Sequence, residues 1–148
     1  KKIISKQIPI LITGDGYKTL IEVLISTYLL DTNNEKLISE NLVEGEQFEK
    51  IFISPNSKEL HQLYENYSNV ELTSNRYSLY PKLIKYLNNN IADIDAFNQF
   101  GEPEIISLKN KSFFLACGFC PQISSTRERP HPIIYTFMKA CQIPINDN

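Results

Sequence analysis

The sequence lacks the features that mark several large classes of protein. No apolar run approaches the roughly 18–20 uncharged residues that cross a bilayer, because the longest candidate, from Tyr17 to Leu30, is broken by Lys18 and Glu22. A membrane-spanning role is not expected. A basic surplus is missing too: 15 Lys and Arg stand against 17 Asp and Glu, for a formal net charge of -2, whereas a phosphate backbone calls for the opposite balance. Direct nucleic-acid binding is not expected either. Cysteine is scarce, with Cys117, Cys120 and Cys141 odd in number and crowded into the last third. That is not the spacing of a disulfide framework, and a reducing cytoplasm fits it best. The opening Lys1-Lys2-Ile3-Ile4 is cut short by Gln7 and Pro9 without a small-residue cleavage site, so no signal peptide is read. The chain does not begin with Met, and further sequence upstream is expected.

What remains is ordinary for a folded domain. With 148 residues, 42% of them hydrophobic, the expectation is a single globular domain, residues 1–148, with one core. Gln7 to Thr13 is short, β-branched and stopped by Gly14-Asp15-Gly16, which predicts a buried strand entering a turn. Tyr17, Leu20, Ile21, Leu24, Ile25 and Tyr28 recur at helical spacing, so a helix follows. Leu37, Ile38 and Leu42 predict a second, shorter helix over 35–43, ended by Gly45. Phe48 to Ser54 reads as a strand, Ser57 as the cap of a third helix, and Val70 to Thr73 as a short strand. Pro81 with Leu83, Ile84 and Leu87 predicts a fourth helix, ended by Asn88-Asn89-Asn90. Ile94, Phe97 and Phe100, between Asp93 and Gly101, predict a fifth. Glu104 to Leu108 and Ser112 to Cys120 read as a β-hairpin, and Pro132 opens a last helix through Cys141. The fold class is therefore α+β (or α/β): a mixed sheet of about five strands covered by helices, closing on a hairpin and a final helix. Gln122 to Pro130 is expected to be the least ordered stretch and a candidate functional loop.

Few constellations carry chemistry. Gly14 to Thr19 sits between a strand and a helix, where a phosphate could bind, but Thr19 stands where the dinucleotide fingerprint needs a third glycine and Asp15 repels anions. A glycine turn feeding a helix is the preferred reading. Cys117 and Cys120 form a C-x-x-C pair that could cycle a disulfide, or could bind zinc with His131 and Cys141 as the remaining ligands. Against both stands a reading of the cysteines as small core hydrophobes. His61 and His131 are the only histidines and lie far apart in sequence, so an acid-base pair is not favoured. Asp93 and Asp95 are read as residues of a helix N-terminus.

With no adequate catalytic group and no cofactor expected, the function favoured is a non-enzymatic protein-binding module. Its most concrete form is a bacterial immunity protein that neutralises a basic toxin or nuclease. Glu40, Glu44, Glu46 and Glu49 would form the docking patch, with Tyr64 and Tyr67 as anchors. Val70 to Thr73, the helix after Pro81, Pro103 to Ile106 and Phe113 to Cys117 also run in an order similar to the effector-binding half of LysR-type regulators, over the second half of the chain only. That resemblance implies small-molecule sensing in a pocket between helices and sheet. The chain departs from it at Asn88 to Asn90, where glycines are expected, and in having no helix-turn-helix.

Overall fold

The computed structural model describes residues 4–31, 35–42 and 47–142. Its centre is a five-stranded sheet formed by β1 (Ile10–Thr13), β4 (Ser54–Pro55), β7 (Ala92–Phe97), β8 (Pro103–Leu108) and β9 (Phe114–Cys117). The spatial order is β1-β9-β8-β7-β4. β1 runs parallel to β9, with Thr13 opposite Cys117, and the remaining pairs are antiparallel. The mixed sheet and the late hairpin agree with the sequence reading. Two further ribbons pair β2 (Ile38–Leu42) with β6 (Asn75–Leu79) and β3 (Glu49–Phe52) with β5 (Val70–Thr73).

Strand alternation divides the core between the two faces of this sheet. On one face Ile94, Ile106, Phe114 and Ala116 pack with helix α1 (Asp15–Tyr28) and helix α3 (Pro81–Asn90). On the other, Ala96, Ile105, Leu115 and Cys117 pack with helix α2 (Lys58–Tyr64) and helix α5 (Pro132–Cys141). α1 buries Tyr17, Leu20, Ile21, Leu24 and Ile25, each contributing about 1.5–3 kcal/mol relative to exposure. Ser57 caps α2 by accepting the Leu60 N–H at 3.3 Å, and Pro81 and Pro132 open α3 and α5 where no N–H is needed.

Three expectations are corrected. The segment read as a second helix over 35–43 contains β2, because Ile38–Leu42 finds a partner in β6, 37 residues on at the Asn41–Ser78 contact. The fifth helix is strand β7: Ala92 and Ile94 face the α1 and α3 side, and a register shift around Asp95 turns Ala96 to the opposite face and leaves the Asp95 carboxyl buried as well. Asp93 and Asp95 therefore flank no helix N-terminus. The Gln122–Pro130 loop is ordered by helix α4 (Pro121–Ser124) and by a turn in which the Arg129 N–H donates to Thr126 Oγ1 at 3.0 Å. Arg129 lies over the Tyr67 ring, 5.1 Å from its centre.

Candidate functional site

The parallel pair fixes where a site can form, because both strands end at the same edge of the sheet and both are followed by a turn into a helix. After β1 the chain turns at Gly14, at φ +57°, into α1; after β9 it turns through Gly118 and Phe119 to Cys120 and α4. The Gly14 N–H donates to the Phe119 carbonyl at 3.0 Å, and the Cys120 N–H to the Leu72 carbonyl at 2.9 Å, so the two turns and the end of β5 are tied together. Gly14 is required twice over. Its φ disfavours other residues, and a Cβ there would lie 3.2 Å from Cys120 Sγ.

Around this half-buried thiol the chain gathers polar groups from three elements. Ser74 stands beside the thiol, near enough to lower its pKa. Asp15, the first residue of α1, accepts the Tyr77 hydroxyl at 2.7 Å. One turn on, Lys18 pairs with Glu40 at 2.9 Å. Burial pushes the Cys120 thiol above its usual range, and the Asp15 charge adds to that, while Ser74 opposes it. Thiolates are the reactive form, so the site presents a largely protonated thiol at neutral pH. Both histidines have other places. His61 is exposed on α2, and His131 is fully buried against Glu71.

The His131 arrangement fixes its tautomer. Nδ1 accepts the Ile133 N–H at 3.2 Å as the cap of α5, so the ring proton sits on Nε2 and is donated to Glu71 Oε1 at 2.7 Å. The Tyr64 hydroxyl donates to the same oxygen at 2.8 Å, and burial together with the Glu71 charge pushes that phenol well up. A second buried network lies between β6 and β8. Arg76 grips Glu102 at 2.7 and 2.9 Å and Glu49 at 3.1 Å, while Asn98 donates to both Glu102 and Glu104.

The residues singled out in the sequence are thus placed differently from the expectation. Glu40 and Glu49 are paired to Lys18 and Arg76 within the chain, so they make no free acidic patch; Glu44 and Glu46 lie outside the described residues. Tyr64 is buried, and Tyr67 packs edge-on to His131 at 4.9 Å, so neither is an exposed anchor. Cys117 is fully buried in the cluster with Ile105 and Phe119, whereas Cys120 faces Gly14 and Ser74, and Cys141 is exposed at the end of α5. Both His131 nitrogens are engaged, and no group of three or more potential metal ligands occurs among the described residues. Asp15, Ser74, Tyr77 and Glu104 were missed as site residues. The one available signal was Glu104 within the otherwise apolar run Pro103 to Ile106. A cavity of about 230 Å³ lies elsewhere, on Leu30, Leu37, Leu83 and Tyr86, with Lys82 and Lys85 in its lining. Among the described residues no helix is long and apolar enough to cross a membrane.

No family model matches the chain, and no curated protein sequence does. Solved structures do. The glutaminase domain of Trypanosoma brucei CTPS, with bound acivicin, superposes with a TM-score of 0.72 at 19% identity, covering 90% of this chain and 60% of that one. The chain therefore spans less than two thirds of that domain. This likeness corrects the expectation of a non-enzymatic, toxin-neutralising immunity protein: over nine tenths of the chain the fold is similar to that of a glutaminase domain.

Proposed function

We propose that this chain is a glutaminase-like domain that receives an amino acid carrying a side-chain carboxamide, glutamine or a close analogue, at the sheet edge where Gly14, Ser74 and Cys120 meet. One observation carries the reading: the fold is similar to a glutaminase domain that holds acivicin, and the partly exposed thiol Cys120 stands at the carboxyl edge of the parallel strand pair, the edge that ligands favour in sheets of this kind. Asp15, the first residue of α1, offers a carboxylate to the ligand's ammonium group beside the Tyr77 hydroxyl that it accepts, while Lys18 is committed to Glu40.

In this reading Cys120 is the nucleophile. Its sulfur attacks the carboxamide carbon, the C–N bond breaks, and ammonia leaves with the thiol proton; water then hydrolyses the thioester to the carboxylate and restores the thiol. The raised thiol makes this slow at neutral pH, and the rate climbs as the solution passes the ordinary thiol value of 9.0 and continues above it. The test is intact-mass analysis after exposure to acivicin, with peptide mapping, beside ammonia release from glutamine between pH 7 and 10. An adduct on Cys120, and ammonia release that rises with pH and is lost in Cys120→Ser, support the reading. The absence of both an adduct on Cys120 and a glutamine-induced shift in Tm overturns it.

A further inference from the structure

Glu104 is a buried acid that the proposed chemistry does not use. Its Oε1 accepts the Asn98 side-chain N–H at 2.8 Å, while Oε2 has no partner and is buried. That unpartnered oxygen lies directly on the turn that carries Cys120. A Cβ built on Gly118 would come within 2.9 Å of Oε2 and 3.7 Å of the Tyr77 ring, so the carboxyl rests on the bare Cα of Gly118. Gly118 is held in that place from both sides. Its N–H donates to the Glu104 carbonyl at 3.0 Å, and its carbonyl accepts Thr73 Oγ1 at 3.2 Å.

We propose that Glu104 is a proton-operated latch under the turn Gly118 to Cys120: with the carboxyl neutral the turn seats on it, and with the carboxyl ionised the turn lifts to let water reach Oε2. The charges facing Glu104 from each packed element lead to this. Among the described residues Arg76 on β6 is the one cation acting on it, and that guanidinium is committed to Glu102 and Glu49. Glu102, before β8, and Glu49 on β3 are like charges, and Tyr17 on α1 and Cys117 on β9 are neutral groups that its charge pushes up further. Burial dominates and raises the Glu104 carboxyl to about 8, with the Asn98 hydrogen bond and Arg76 opposing it. A carboxylate there has an oxygen with no donor, a costly state in a buried site. Hydration needs space, and the group standing on that oxygen is Gly118.

Gly118 is one of five glycines, so its amide resonance can be followed by NMR through a pH titration of the ligand-free protein. The latch requires that the Gly118 and Cys120 amides shift with a midpoint near pH 8 and gain hydrogen-exchange rate beyond the intrinsic base-catalysed increase, and that Glu104→Gln abolishes both changes. Amides that stay flat between pH 6 and 9, or that inflect identically in Glu104→Gln, overturn it. Should that variant not fold, the side-chain carboxyl carbon of Glu104 in the wild-type protein gives the same decision. If the two amides follow its titration the latch stands, and if they do not it falls. The inference does not depend on what the Cys120 site binds, and the experiment contains no ligand.

Discussion

Two buried glutamates, one for each face of the sheet, show how donor count sets the work a carboxyl can do. Glu71, on the face covered by α2 and α5, receives two donors on Oε1, from Tyr64 and His131. Glu104, on the side of Tyr17 and Tyr77, receives one donor, and shares it with Glu102. Each leaves Oε2 without a partner. Glu71 therefore acts as a pin, joining α2, β5 and the start of α5 through charged or polar contacts that titration of Glu104 does not touch. Glu104 is held by geometry on one side only, and its proton stands in for the missing donor.

Removing the pin gives the largest expected effect. His131→Ala deletes a donor to Glu71, the cap of α5 and the ring contact with Tyr67 at 4.9 Å; a loss of about 3–5 kcal/mol in urea unfolding is expected, the range for breaking a buried pair. Next comes Glu104→Gln, which sharpens the contrast by pH. The folded carboxyl holds its proton to about 8 against a reference of 4.5, so the folded state binds more protons in that window and stability falls as pH rises through it, levelling off above. The slope is bounded by about 1.4 kcal/mol per pH unit, and Glu104→Gln flattens it in thermal melts between pH 5 and 9. Gly118→Ala forces the same carboxyl off its seat and is expected to cost about 1–3 kcal/mol, with the loss concentrated near the β9–α4 turn in hydrogen exchange. Tyr64→Phe is smallest. It removes one of two donors to Glu71, and about 1 kcal/mol is expected in denaturant melts, with His131 still in place.

The parts of the fold legible in the sequence were those specified locally. α1 was visible because its apolar residues recur along one face, and α5 because Pro132 opens it, although its buried side chain, Ile133, was not the one that the pattern picks out. β2 and β7 were not, because each owes its state to a distant partner. Ile38 and Leu42 fit a helix or a strand equally well until β6 is placed beside them, and Ile94 and Phe97 lie three apart as in a helix although Ala92, Ile94 and Ala96 also alternate. The site was hidden for the same reason. Cys120 was noticed as one half of a C-x-x-C pair, but its neighbours Gly14 and Ser74 come from turns about 106 and 46 positions away by sequence number, joined by a parallel pairing that no local pattern announces.

The central claim is that the sheet edge at the carboxyl ends of β1 and β9 takes a glutamine-class ligand. Titrating glutamine into the nitrogen-15-labelled protein and following amide shifts tests it most directly. The account predicts saturable shifts at Gly14, Asp15, Ser74 and Cys120 that asparagine reproduces more weakly and leucine does not; a spectrum unmoved at those four residues, or shifts gathered instead around Leu30 and Leu83, would contradict it.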